Sequence, residues 1–261
     1  MSESWHSGTA YERYMGRWSR LAAQAFLRWL GVAPGRSWLD VGCGTGSLTR
    51  LILEQYQPEE IFSIDPSSEF IAYVAQSISD PAVHFRPGLA QALELDAHSL
   101  DAVVSGLVLN FVPQPEAAIA EMRRVTRPGG DIGIFVWDYA GGMQMLRYLW
   151  DAALELDPNA REHDEAIRFP ICQAGQLEAL VRKAGLKEIE AAAIEIKTVF
   201  RDFEDYWQPL LGGVGPASGY VMSLNPEDRQ KLAEKLRKTL PIEENGSISM
   251  LARAWAVKGK A

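Results

Sequence analysis

Trp38-Leu39-Asp40-Val41-Gly42-Cys43-Gly44-Thr45-Gly46-Ser47-Leu48-Thr49 is the stretch whose reading decides the fold. An apolar run ends in Asp40 and Val41, glycines alternate with small residues at 42, 44 and 46, and a helical pattern opens at Ser47 and Leu48. Glycine admits backbone conformations that a β-carbon forbids, so such a loop turns sharply and brings its amides close to a ligand. The loop feeds a helix N-terminus, where unpaired amides and the helix dipole favour negative charge. Strand, loop and helix together describe a cradle at the carboxyl end of a strand, where open α/β sheets bind ligands.

The dinucleotide fingerprint requires Gly-x-Gly-x-x-Gly. Here the spacing is Gly42-x-Gly44-x-Gly46, with Ser at 47. The stretch resembles the first motif of class I S-adenosylmethionine-dependent methyltransferases. Downstream, Arg124-Val125-Thr126-Arg127-Pro128-Gly129-Gly130 is similar to the Arg-Val-Leu-Lys-Pro-Gly-Gly turn of the small-molecule (type 11-like) branch of that family. The resemblance covers about residues 36–137. It implies a Rossmann-like, doubly wound α/β fold: a seven-stranded sheet with an antiparallel last strand, helices on both faces and helical lid insertions. It also implies S-adenosyl-L-methionine as cofactor and S-adenosyl-L-homocysteine as product.

Composition bounds the partners. The chain has 261 residues, 47% hydrophobic and 23% charged, which suits a globular enzyme-sized protein read as one domain. A net charge of −8, with no long basic run, disfavours nucleic acid as a partner. Cys43 and Cys172 imply no disulfide framework, and a reducing cytoplasm fits. The N-terminus lacks a basic segment followed by an apolar run, and no stretch approaches about 18 consecutive apolar residues, so neither a signal peptide nor a membrane span is expected. The expected species is a monomer or homodimer acting on a small-molecule methyl acceptor.

Along the chain, residues 9–30 carry apolar side chains at helical spacing, with Gly16 as a plausible break. The family often folds such a segment over the cofactor, which makes Tyr14 and Arg17 cofactor candidates. Strands read at 37–41, 61–64, 83–86, 99–105, 131–136, 186–198 and 247–257, with Arg127-Pro128-Gly129-Gly130 as a chain-reversing turn before the fifth. Asp65 closes the second strand about 20 residues past the last glycine, where an acid grips ribose hydroxyls. The resemblance assigns Asp40 to the glycine loop and the cofactor's ammonium. It adds Gly42, Cys43, Gly44, Gly46, Pro66, Leu89, Ala90, Ser105 and Gly106 to the cofactor site. At position 89 the family often carries an Asp that contacts adenine; Leu89 leaves backbone groups and an apolar face instead. Stretches 138–170 and 199–240 exceed a minimal core and read as lid insertions able to lean over the cofactor.

The chemistry is less local. Histidines 6, 84, 98 and 163 are scattered, and no metal-ligand spacing occurs. Asp138 and Tyr139, just past the fifth strand, are the best-placed candidates for a base, though Asp138 could equally anchor a loop. Asn110 is the nearest polar side chain beyond the fourth strand. Two other classes share part of the pattern: a nucleotide-dependent oxidoreductase, and a non-catalytic binder of S-adenosylmethionine or its product.

Overall fold

The computed structural model describes residues 11–261. His6 and the first two residues of the helix expected from residue 9 lie outside them. The elements in order are α1 (Arg17–Leu30), β1 (Ser37–Val41), α2 (Ser47–Tyr56), β2 (Glu60–Asp65), α3 (Ser68–Ser77), β3 (Val83–Pro87), β4 (Leu100–Gly106), α4 (Pro115–Val125), β5 (Thr126–Trp137), α5 (Gln144–Leu156), α6 (Glu165–Arg168), α7 (Gln176–Lys183), β6 (Lys187–Phe200), α8 (Phe203–Trp207), α9 (Pro216–Ser223), α10 (Pro226–Thr239) and β7 (Ile248–Lys260). Among the described residues, no helix is long and apolar enough to cross a membrane.

The sheet order is β3-β2-β1-β4-β5-β7-β6. All five residues of β1 are buried, as expected of a parallel strand covered on both faces. Leu39 pairs with Phe62 on one side and Val103 on the other. The chain leaves β1 toward β2 and β3, then returns to its other side with β4 and β5. That reversal is a topological switch point, and it places the end of β1 at the crevice where open sheets bind ligands. β7 enters between β5 and β6. It runs antiparallel to β5: Gly129 N–H donates to Ala261 O (3.3 Å) and Ala261 N–H to Gly130 O (3.2 Å). The expected seven-stranded, doubly wound sheet with an antiparallel last strand is therefore present.

Two local expectations are corrected. The helix expected over 9–30 is not uniform. Glu12–Gly16 form a π-helical turn and regular α-helix begins at Arg17, with Gly16 so close to the Glu12 side chain that a β-carbon would lie 2.5 Å from its carboxylate. The Arg127-Pro128-Gly129-Gly130 stretch is not a chain-reversing turn. Thr126 already pairs with Leu100 and Asp131 with Ala102, so the four residues bulge opposite Asp101 within β5. Proline and glycine are tolerated at such bulges because no regular ladder bond is required of them.

Contacts divide the chain into two compact units. One comprises Ser19–Val136, Ala174–Ile194 and Trp255–Ala261; the other comprises the described residues up to Trp18, Trp137–Gln173 and Glu195–Ala254. In the first, α1 packs its apolar stripe on β5. The Phe26 and Phe135 rings lie 4.5 Å apart, and both side chains are nearly inaccessible. Each such burial contributes roughly 1.5–3 kcal/mol.

The second unit is pinned by buried polar groups. Arg147 forks onto Asp164 (3.0 and 2.5 Å), and Tyr206 Oη–H donates to Met145 O (2.8 Å). Glu165 accepts from the Trp150 indole and from the Ala217 amide at the start of α9. Glu165 therefore ties α5, α6 and α9 together, and burial pushes its carboxyl up to about 7.

Gly130→Ala tests the bulge. A β-carbon there would sit 2.7 Å from the Asp101 carbonyl oxygen, a backbone atom that cannot yield cheaply. Urea denaturation is expected to show a loss of about 1–3 kcal/mol, whereas an unchanged midpoint would mean that the bulge relaxes freely.

Candidate cofactor site

The site is built on the last residues of β1. Asp40 is 1% exposed. Its Oδ2 accepts the Thr49 amide (3.1 Å) and the Thr49 hydroxyl (2.7 Å), and Thr49 Oγ1 is hydrogen-bonded to Ser63 Oγ (2.8 Å). One carboxylate oxygen thus fastens the end of β1 to the first turn of α2 and, through Thr49, to β2. The other oxygen, Oδ1, is buried without a partner. Burial pushes the carboxyl up to about 7, against the lowering effect of the Thr49 bonds; the negative charge of Asp65 adds to the rise.

Between these anchors runs the glycine loop. Gly42 has φ +76°, and a β-carbon there would meet Val108 Cγ1 at 2.5 Å, so both conformation and space demand glycine. Gly44 also has a left-handed φ, +51°, yet a β-carbon on it would meet nothing within 4 Å. The loop is therefore packed at Gly42 and open at Gly44. Cys43 is buried with Val74 and Ile78, and burial holds its thiol well above the ordinary range, which makes it packing and not a nucleophile.

Asp65 ends β2 and closes the loop from the side. Its Oδ2 accepts the Gly44 amide (3.0 Å) and its Oδ1 the Ser67 amide (2.9 Å). Burial raises its pKa, while these two bonds lower it. Each oxygen keeps a further lone pair for a ligand hydroxyl. The next residue, Pro66, is exposed and leads into α3, capped by Ser67. Gly88 N–H donates to the Asp65 carbonyl (3.0 Å), which brings the turn with Leu89 and Ala90 to the same edge. Leu89 is 50% exposed and Ala90 is buried, an apolar surface free to receive a flat ring.

The fourth side is the end of β4. Ser105 Oγ–H donates to Val41 O (3.0 Å), tying β4 to the start of the loop. A β-carbon on Gly106 would lie 2.6 Å from Phe135 and 2.7 Å from Leu48. The structure thus brings Asp40, Gly42, Cys43, Gly44, Gly46, Asp65, Pro66, Leu89, Ala90, Ser105 and Gly106 together in one unit.

Tyr14, Arg17, Asp138 and Tyr139 belong to the other unit. Arg17 reaches both carboxylate oxygens of Asp205 (3.1 Å each), and its guanidinium lies over Trp18 (4.4 Å) and Phe200 (4.7 Å). Asp138 anchors the following turn. It accepts from Gly141 N–H (3.1 Å) and pairs with Arg253 (3.3 Å). Tyr14 and Tyr139 are buried, with phenols held far above the ordinary range by burial and by nearby acidic groups, Glu165 among them. A neutral phenol of that kind is a donor, not a base. Of the histidines, His84 faces Glu60 (3.8 Å), His98 Nδ1 is 3.1 Å from Thr126 O, and His163 packs on Tyr220.

A carboxyl-rimmed glycine loop at the switch point of a β3-β2-β1-β4-β5-β7-β6 sheet defines an α/β nucleotide-cofactor protein. Residues 39–134 match the methyltransferase domain family. An uncharacterised methyltransferase of Mycobacterium tuberculosis is 36% identical over 42% of this chain and 43% of its own length. The malonyl-[acyl-carrier protein] O-methyltransferase of Serratia marcescens is 32% identical over 54% of this chain and 56% of its own. The chain thus spans only about half the length of these curated relatives. Among solved structures, phosphoethanolamine N-methyltransferase 2 of Haemonchus contortus, in complex with S-adenosyl-L-methionine, superposes with a TM-score of 0.62 at 16% identity, over 98% of this chain and 57% of that one. The chain carries a methyltransferase domain of the class I S-adenosylmethionine-dependent family.

The residues present fit that cofactor. The unpaired buried Asp40 Oδ1 offers an acceptor for a cationic donor, Asp65 offers lone pairs to vicinal hydroxyls, and Leu89 offers an apolar face.

Asp40 also sets a pH dependence. Its carboxyl lies at about 7 folded against 3.8 unfolded. Between those values the unfolded chain has released its proton while the folded chain keeps it, so stability falls as pH rises. By pH 7 the loss is on the order of 4 kcal/mol. Asp40→Asn, whose amide oxygen still accepts from Thr49, removes this term. The stability gap in its favour is expected to widen from about pH 4 to 7 and then flatten. Parallel stability curves for the two proteins would contradict the assignment.

Proposed function

We propose that this chain transfers a methyl group from S-adenosylmethionine to a small, partly apolar acceptor. The observation that carries the reading is the Asp65–Gly44 hydrogen bond (3.0 Å). It makes the glycine loop and the ribose-gripping acid one preformed unit, within the segment that matches the methyltransferase family. When bound, the cofactor supplies a methyl made electrophilic by its sulfonium, so positioning and exclusion of water can provide much of the catalysis.

In this reading Asp65 receives the two ribose hydroxyls without releasing Gly44 and Ser67. Leu89 and Ala90 receive the adenine through apolar contact in place of a side-chain acceptor. Asp40 Oδ1 receives the ammonium, directly or through water, and the loop amides flank the methionine portion. The similar proteins named above are named for dissimilar acceptors, a malonyl group on an acyl carrier in one and phosphoethanolamine in another. That diversity suits a shared cofactor core with acceptor contacts supplied from outside residues 39–134. Buried free cysteines at 43 and 172 suit a reducing cytoplasm.

Calorimetric titration with S-adenosylmethionine, S-adenosylhomocysteine and NADH tests the reading. Wild type is expected to bind both sulfur nucleotides and not NADH. Asp65→Ala is expected to weaken them at least about tenfold, since a charged acceptor contributes roughly 1.5–3 kcal/mol per hydrogen bond. Binding of NADH alone would favour the oxidoreductase alternative and refute the proposal.

A further inference from the structure

Among the described residues, Asn110 is the side chain whose donor and acceptor are both buried without a partner: neither Nδ2 nor Oδ1 meets one. Buried polar groups in native proteins are almost always hydrogen-bonded, and each one left unpaired is costly. Mere tolerance is a poor explanation for a residue held this firmly.

Asn110 sits in a single 3-10 turn, Leu109–Phe111, closed by Phe111 N–H donating to Val108 O (2.8 Å). The turn follows an uncommon backbone. Leu107 has φ +63°, a left-handed conformation that a side-chain-bearing residue adopts only under constraint. The constraint is visible: Leu107 N–H donates to Phe135 O (2.8 Å). The next residue, Val108, fills the space over Gly42 that a β-carbon would occupy. The turn carrying Asn110 is therefore keyed into the glycine loop at Gly42. The other orphan of the loop, Asp40 Oδ1, lies two residues before Gly42 in sequence.

Around Gly42 the unit thus carries an acidic acceptor, a neutral acceptor and a neutral donor, all unpaired. An α-amino acid zwitterion has the complementary set. Its carboxylate accepts from the amide NH2, and its ammonium donates to the amide oxygen and to the carboxylate. A primary amide meets both charges without adding one of its own.

We infer that Asn110 is a positioning residue that holds the amino-acid head of the cofactor, together with Asp40. The inference rests on the proposed cofactor reading and extends it to a residue outside the glycine motif. By fixing the head, Asn110 fixes where the sulfonium end of the molecule lies along the loop.

The test compares S-adenosylhomocysteine, which has the head, with 5′-methylthioadenosine, which lacks it. Asn110→Leu removes both orphan groups at similar volume, and Asn110→Asp places a negative charge opposite the ligand carboxylate. For Asn110→Leu, calorimetry is expected to show S-adenosylhomocysteine binding weakened about tenfold and methylthioadenosine binding unchanged. Its melting temperature is expected to equal or exceed that of wild type, because no internal hydrogen bond is lost. Asn110→Asp is expected to weaken S-adenosylhomocysteine further and again to spare methylthioadenosine. Wild-type binding that Asn110→Leu leaves unchanged overturns the assignment and spares the cofactor reading. A variant that melts lower and loses both ligands equally marks Asn110 as structural and also overturns it. Wild type that binds neither ligand overturns the cofactor reading itself.

Discussion

The capture of the Asp40 carboxylate by Thr49 is the constraint on which the cofactor site depends. A carboxylate buried at the end of a central strand is costly unless it is hydrogen-bonded. Here one oxygen is bonded twice, and the donors belong to the first turn of α2. The helix N-terminus is thereby fixed against the strand end, and the loop between them has one path. Asp65 fixes the middle of that path through Gly44, and Val108 fixes its start by packing over Gly42. The loop is preorganised by three contacts from three strands, so a ligand need not pay to order it.

Much of this was legible in the sequence because it is local. Strand, glycines and helix follow one another within twelve residues, and an acid at the end of the next strand is a spacing argument. Parallel strands announce themselves as continuous apolar runs. The bulge at Arg127-Pro128-Gly129-Gly130 was not legible, because its residue types suit a turn equally well. Only the pairing of Thr126 with Leu100 and Asp131 with Ala102 separates the two, and pairing is non-local.

Asn110 and Glu165 illustrate the same limit. A lone Asn after a strand reads as a loop hydrogen-bonder; its significance lies in partners it lacks, which no sequence displays. Glu165 has no periodic or motif signal, and its donors, Trp150 and Ala217, lie 15 and 52 residues away. Arg17, read as a cofactor candidate, finds Asp205 across 188 residues. In each case the side chain's role is decided by distant partners, which spacing rules do not reach.

The account makes Asp40 a proton donor to solvent when the cofactor arrives. Free, its carboxyl is poised at about 7; an ammonium beside Oδ1 would favour the ionised form. Calorimetric titration of S-adenosylhomocysteine at pH 7, in two buffers of different ionisation enthalpy, counts the protons exchanged. Release of about half a proton per ligand bound, lost in Asp40→Asn, is the predicted result. Identical heats in both buffers for the wild-type protein would contradict it and leave Asp40 a purely structural clamp.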